Sequence, residues 1–157
     1  ALAPPTELLL FLADRVPHLR EVIRPALARG EVVLCDRFHD ATVAYQGHAR
    51  GLELAPLAGF IRAEVLRPPV DVTFWLDVPV PLAQERIAAR RDGAAPRGAD
   101  ESRLDAASLG FHQRVRAGYA AIQAAEPRRV LRVDGSGGVE AVHERIWAAL
   151  MERYNAV

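Results

Sequence analysis

Asp36 and Arg37 stand side by side at the end of an apolar, β-branched run, Glu31-Val32-Val33-Leu34-Cys35, and a helix-compatible stretch carrying Thr42, Tyr45 and Gln46 follows them. A carboxylate and a guanidinium at the carboxyl end of a buried strand sit where open α/β sheets place their ligands. Asp36 could hold a metal ion through water, and Arg37 could clamp a phosphate with two parallel N–H···O bonds. A surface salt bridge after a strand is the plain alternative for a bare Asp-Arg pair. Upstream, Phe11 and Arg15 are four residues apart and so share one helix face, as do Thr42 and Gln46. More cations, Arg90, Arg91, Arg97 and Arg103, flank or lie within a Gly/Pro/Ala-rich stretch at about residues 92–102. Such a loop can open and close over a bound ligand.

These residues need elements to hold them. A helical pattern opens at Pro5 or Thr6, with Leu8, Leu9, Phe11, Leu12, Val16, Leu19, Val22 and Ile23 at three-to-four spacing. Pro17 and Pro25 interrupt it, and Gly30 is a helix stop. Residues 31–35 read as a short buried strand, 54–66 as a helix closed by Arg67-Pro68-Pro69, and 72–78 as a second buried strand. Pro81 suits the first turn of a helix over 82–91. A helix over about 104–125, a third strand over 129–134 and an amphipathic terminal helix with Val142, Ile146, Trp147 and Leu150 complete the chain. The Gly135-Ser136-Gly137-Gly138 link lacks the Lys-Ser/Thr of a phosphate loop and reads as a tight turn. Strands alternating with long helices point to a parallel α/β sheet in one domain over residues 1–157, without repeats or a linker.

The stretch over residues 32–47, VVLCDRFHDATVAYQG, resembles the DR(Y/H/F)…(S/T)xAYQG signature of bacterial thymidylate kinases. Residues 7–15, ELLLFLADR, resemble that family's ELLLFAADR helix, and residues 111–119, FHQRVRAGY, are similar to its FHxRVRxGY helix. The resemblance implies a P-loop nucleoside monophosphate kinase-like α/β fold: a parallel sheet flanked by helices, with a lid at about 92–102. It implies ATP as phosphate donor, dTMP as acceptor, Mg²⁺, and a homodimer. By the same resemblance Phe11 stacks on thymine, Arg15 donates to its O4, Thr42 and Gln46 contact the ring, and Tyr45 packs near the sugar and disfavours a ribose. Arg37 clamps the monophosphate, and Asp36 matches the carboxylate that holds the water shell of the metal. Arg103, in Ser102-Arg103-Leu104-Asp105, is the best match to a catalytic lid Arg; Arg97 is a second candidate, and Arg90 is placed on the donor side. Ala41 stands where many members carry Ser, and Phe38 where Tyr or His is commoner.

The family's GxxxxGK(S/T) loop has no counterpart here, and the chain contains no lysine. The expectation is therefore a chain holding the later three-quarters of such a kinase, with its first strands absent and catalysis incomplete. In the family the phosphate-loop strand runs between two of the strands read here, so its absence would leave a gap that main-chain hydrogen bonds cannot span. Twenty basic residues balance twenty acidic ones, which gives no general basic field for nucleic acid. The single cysteine, Cys35, excludes an intrachain disulfide and reads as a buried structural thiol. No apolar run reaches the ~20 residues of a membrane span, and the cytoplasm is the default setting. Two rival readings stand beside the kinase: a related kinase with another acceptor, and a nucleotide-binding or dimerising remnant without catalysis.

Overall fold

The computed structural model describes residues 2–53, 55–57, 59, 70–91 and 107–155. Helix α1 covers Pro4–His18, with Pro5 inside its first turn, where a missing N–H costs nothing, and Glu7 near its positive end. Leu8 and Leu12 turn inward and pack with Leu57, while Val16 and Leu52 border the cluster. Pro17 does not end the helical path. The chain widens to a π-helical turn over Leu19–Ile23 and continues as α2, Arg24–Ala28, with Pro25 in its first turn. Gly30 stops it at φ +77°, its N–H reaching the Leu27 carbonyl at 2.9 Å.

A second helical path starts as α3, His39–Thr42, and becomes π-helical over Val43–Ala49. It lies on α5, Leu109–Ala125, whose N-terminus is capped by the Ser108 hydroxyl accepting from the Phe111 N–H. Gly118 permits that approach, since a Cβ there would stand 3.0 Å from the Ala44 Cα and from His48. Ala44, Ala49, Trp75, Phe111, Val115, Ile122 and Val130 form the main core, and Val43 packs against both clusters. Strands β1, Thr73–Asp77, and β2, Val130–Asp134, pair in parallel from Thr73 opposite Val130 to Asp77 opposite Asp134. Between them run α4, Val80–Arg91, and α5; α6, Val139–Asn155, follows β2.

Three expectations need correction. Residues 31–35 are not a strand: the segment has no ladder partner among the described residues, and the two-stranded sheet is β1–β2 alone. Val32 is 89 % exposed and Leu34 93 %, because an apolar run becomes a strand only where another backbone offers donors and acceptors. The anticipated gap is met by leaving the segment unpaired among the described residues. Cys35, read as buried, is exposed for the same reason. On α6, Val142, Ile146 and Leu150 are half-buried, but Trp147 lies on the outer face at 56 % exposure. Of the helix expected over 54–66, residues 55–57 and 59 are helical; the rest, and residues 104–106 of the expected α5 start, lie outside the described residues.

Candidate functional site

Glu7, Phe11 and Arg15 recur every four residues along one face of α1. That face meets the α3 path in opposite order. Arg15 Nη2 donates to the Thr42 hydroxyl at 2.7 Å and more weakly to the Phe38 carbonyl at 3.4 Å, and its guanidinium lies over the Phe38 ring, 4.9 Å from the centroid. Two turns earlier, Gln46 Nε2 donates to Glu7 Oε1 at 2.9 Å, and Arg50 reaches both Glu7 oxygens at 3.3 Å. Glu7, Thr42 and Gln46 are all buried. Phe11, half-buried and outside both core clusters, lies along α1 between these two cross-links.

Arg15 Nη1 is buried and has no hydrogen-bond partner. Burial opposes this guanidinium's charge, with Cys35 and Asp14 acting the other way. Leaving such a donor unpaired costs on the order of 1–3 kcal/mol, so a ligand acceptor placed there would recover that amount. Because Thr42 Oγ1 already accepts from Arg15, its own O–H is left to donate elsewhere. The Arg15–Thr42 pair therefore offers two donors beside the Phe38 ring.

Arg37 sits at φ +59°, the one non-glycine residue with positive φ among those described. This strain of roughly 1–3 kcal/mol is characteristic of ligand clamps. Its guanidinium lies 5.6 Å from the Tyr45 centroid, and Tyr45 meets Phe111 edge to face at 6.1 Å. Asp36 is exposed beside it and has no hydrogen-bond partner among the described residues. The motif is anchored by buried Asp40, which receives Arg129 Nη1 at 2.7 Å, Arg129 Nη2 at 2.8 Å and the Thr73 hydroxyl at 2.8 Å. Burial pushes the Asp40 carboxyl up, but these hydrogen bonds and His39 outweigh it and hold it below the usual range. In this way the start of α3 is tied to the start of both strands.

A second polar centre lies at the carboxyl ends of β1 and β2. Asp77, its side chain 3 % exposed, accepts Arg116 Nε at 2.6 Å and Arg132 Nη2 at 2.6 Å, and Arg116 first of all holds its carboxyl below the usual range. A cavity of about 380 Å³ opens there, lined by Asp77, Pro79, Arg116, Arg132 and Asp134. The turn beyond β2 is pinned from two helices. Arg86 donates to the Gly135 and Gly137 carbonyls, and Arg145 to those of Asp134 and Ser136.

The structure thus brings Arg15 to Thr42, Arg37 to Tyr45 and Gln46 to Glu7, with Phe11 on α1 between Glu7 and Arg15. The Arg90 side chain, Arg97, Arg103 and the lid segment 92–102 lie outside the described residues. Sequence reasoning passed over Glu7, Asp40, Asp77 and Arg116. Glu7 was readable as the first member of the four-residue stripe on α1, and Asp77 as a carboxylate closing a buried apolar run. Among the described residues no group of three or more His, Cys, Asp or Glu is arranged to hold a metal, and no helix is long and apolar enough to cross a membrane. Asp36 alone still suits Mg²⁺, which keeps most of its waters and needs only one or two carboxylates beside substrate phosphates.

A family model described as thymidylate kinase matches residues 1–146. Thymidylate kinase of Geobacter sp. (strain M21) is 46 % identical over 157 residues, which is 100 % of this chain and 69 % of that protein. Thymidylate kinase of Roseiflexus castenholzii (strain DSM 13941 / HLO8) is 45 % identical over 162 residues, covering 99 % of this chain and 69 % of its own. A crystal structure of thymidylate kinase from Ehrlichia chaffeensis superposes with a TM-score of 0.72 at 27 % identity, covering 96 % of this chain and 66 % of that one. The chain spans about two thirds of the length of the proteins it matches.

Proposed function

This chain belongs to the thymidylate kinase family, and we propose that its protein transfers the γ-phosphoryl group of ATP to dTMP, giving ADP and dTDP. The observation that carries the acceptor is the buried, unpartnered Nη1 of Arg15, on the guanidinium whose Nη2 bonds the Thr42 hydroxyl. Thymine offers carbonyl oxygens to both donors. Cytosine places an amine where O4 would be and leaves Arg15 facing a donor, which a buried site rejects strongly. Phe11 stacks on the base, Tyr45 packs near the sugar and selects the deoxynucleotide, and Arg37, already held in its strained conformation, takes the monophosphate.

The reaction asks the protein for positioning and charge neutralisation more than for covalent chemistry. Asp36 would hold Mg²⁺ through its waters. When bound, the ion neutralises charge on the donor phosphates. Arg37 fixes the acceptor phosphate, and burial of Thr42 and Gln46 keeps water from the base. A lid over 92–102, with Arg103 and Arg97 acting on the transferring group and Arg90 on the donor side, belongs to the same proposal. So do a single domain over 1–157, a cytoplasmic setting and a homodimer. Leu9, Leu10 and Val22, each more than half exposed on the first helical path, support an apolar dimer face.

Without a lysine or a GxxxxGK(S/T) loop, the 157-residue chain alone is expected to bind dTMP without turnover. Calorimetric titration with dTMP and dCMP tests the acceptor reading, and equal affinity for the two would overturn it. Any dTDP formed from ATP by this chain alone would overturn the expected inactivity. Tight nucleotide binding that ignores the base would favour a non-catalytic nucleotide-binding remnant.

A further inference from the structure

We propose that Glu7 is a positioning residue of the acceptor pocket, fixing the Gln46 amide so that its NH₂ group faces inward and its carbonyl oxygen is the end left for the nucleobase. The inference rests on the reading of this pocket as the acceptor site. Glu7 is 2 % exposed, so a full carboxylate has been taken out of water in the first turn of α1. Such burial is costly unless the group is paired and hydrogen-bonded. Arg50 supplies the pairing, with contacts of 3.3 Å to both oxygens, and Gln46 supplies a hydrogen bond of 2.9 Å.

A primary amide has a donor end and an acceptor end, and its orientation follows the partner it meets. An ionised carboxylate only accepts. Glu7 therefore settles which end of Gln46 turns away from α1, and the remaining oxygen can only accept. Gln46 is itself 4 % exposed, which leaves the amide little room to turn over. Four residues before it, Thr42 is engaged by Arg15 on the same α1 stripe. Two cross-links, eight residues apart on α1 and four apart on the facing path, hold Phe11 between them.

The chemical consequence concerns the ring nitrogen between the two carbonyl carbons of a pyrimidine. In thymine and uracil that nitrogen carries a hydrogen and can donate to the Gln46 oxygen. In cytosine it is an acceptor and would oppose it. Glu7 thus acts on base choice through Gln46 without touching the base. Arg15 and Gln46 would reject cytosine at two different ring positions.

Affinities of dTMP and dCMP for the wild-type chain and two variants, with melting temperatures, test this. Glu7→Gln keeps the size and a hydrogen bond but removes the charge, so the amide at 46 can adopt either orientation. The preference for dTMP over dCMP is expected to fall on the order of tenfold, a change of about 1.4 kcal/mol. Arg50→Gln removes the charge partner and leaves the Glu7–Gln46 bond, so the melting temperature is expected to drop with the preference kept. If Glu7→Gln does not fold, the exchange Glu7→Gln with Gln46→Glu restores a hydrogen bond of reversed polarity, and because the carboxylate at 46 still turns an acceptor toward the base, both stability and the preference for dTMP are expected to return. An unchanged preference in Glu7→Gln, or an exchanged pair that regains stability without the preference, overturns the proposal. Failure of the acceptor reading shows separately, as a wild-type chain that does not prefer dTMP.

Discussion

Two apolar stretches of similar length, residues 31–35 and Thr73–Asp77, meet different surroundings. Thr73–Asp77 pairs along its whole length with Val130–Asp134, rests Trp75 on Tyr119 with ring centroids 6.2 Å apart, and ends on the buried Asp77. Residues 31–35 are flanked by well-anchored chain: Gly30 closes α2 on one side, and Asp40 is locked to Arg129 on the other. The stretch itself has no ladder among the described residues, and Val32, Leu34 and Cys35 are exposed. Propensity is the same in kind for both; what differs is whether a second backbone is present to pair with. The cross-links from α1 to the α3 path, Arg15 to Thr42 and Glu7 to Gln46, involve no residue of the unpaired stretch, whereas Arg37 follows closely upon it.

That contrast predicts a large asymmetry under charge insertion. Val133, 4 % exposed within β2, becomes an unpaired buried charge in Val133→Asp, a cost of more than about 4 kcal/mol that would unfold the chain. Val32→Asp, at an 89 % exposed site, is expected to change stability by less than about 0.5 kcal/mol. Urea unfolding of both variants measures the difference. Comparable losses in the two would mean that residues 31–35 are packed in solution, and the contrast would fail.

A smaller effect separates the anchor of α3 from the unpaired stretch that precedes it. Arg129→Ala leaves Asp40 buried without its cation, at a cost of roughly 3 kcal/mol. Thermal melts should show the loss. Reactivity at Cys35, already exposed, should hardly change. A large rise in Cys35 reactivity would show instead that Asp40 holds the 31–35 segment as well as α3.

The paired strands also carry an acid signature. Asp77 is held below its ordinary carboxylate range, chiefly by Arg116. A depressed carboxyl stabilises the fold above the unfolded value of about 3.9, and that contribution is lost as the pH falls through the folded value. Melting temperature should therefore decline below about pH 4 in the wild type. In Asp77→Asn the starting value should be lower and the decline shallower. Equal slopes would remove Asp77 as the source of the acid sensitivity.

Much of this was legible in the sequence because its causes are local. The helix over Pro4–His18, the stop at Gly30, the β1 and β2 stretches and the spacing of Phe11 with Arg15 follow from periodicity, glycine and proline. The fate of residues 31–35 was not legible from composition, because a strand is a property of two backbones. The π-helical turns over Leu19–Ile23 and Val43–Ala49 leave no simple residue signal, and the pairing of Glu7 with Gln46 joins residues 39 apart in the chain. The resemblance assigns Gln46 a ring contact; the bond its amide nitrogen gives Glu7 at 2.9 Å carries no sequence signal.

The finest test of the contrast is chemical and leaves the fold untouched. Cys35 is the only thiol, it lies in the unpaired stretch, and its residue is exposed. Partial desolvation raises its pKa, Arg15 pulls the other way, and Asp36 adds to the rise. The reactive thiolate is therefore a small fraction at pH 7, and it grows as the pH climbs past the ordinary thiol range. A disulfide reagent should label the native chain at one site, slowly near neutrality and faster with rising pH, and denaturant should accelerate it only a few-fold. Labelling that waits for unfolding would place residues 31–35 under cover. Fusing upstream a relative's strand and phosphate loop would sharpen the result: if that strand pairs with residues 31–35, Cys35 should become protected from the reagent.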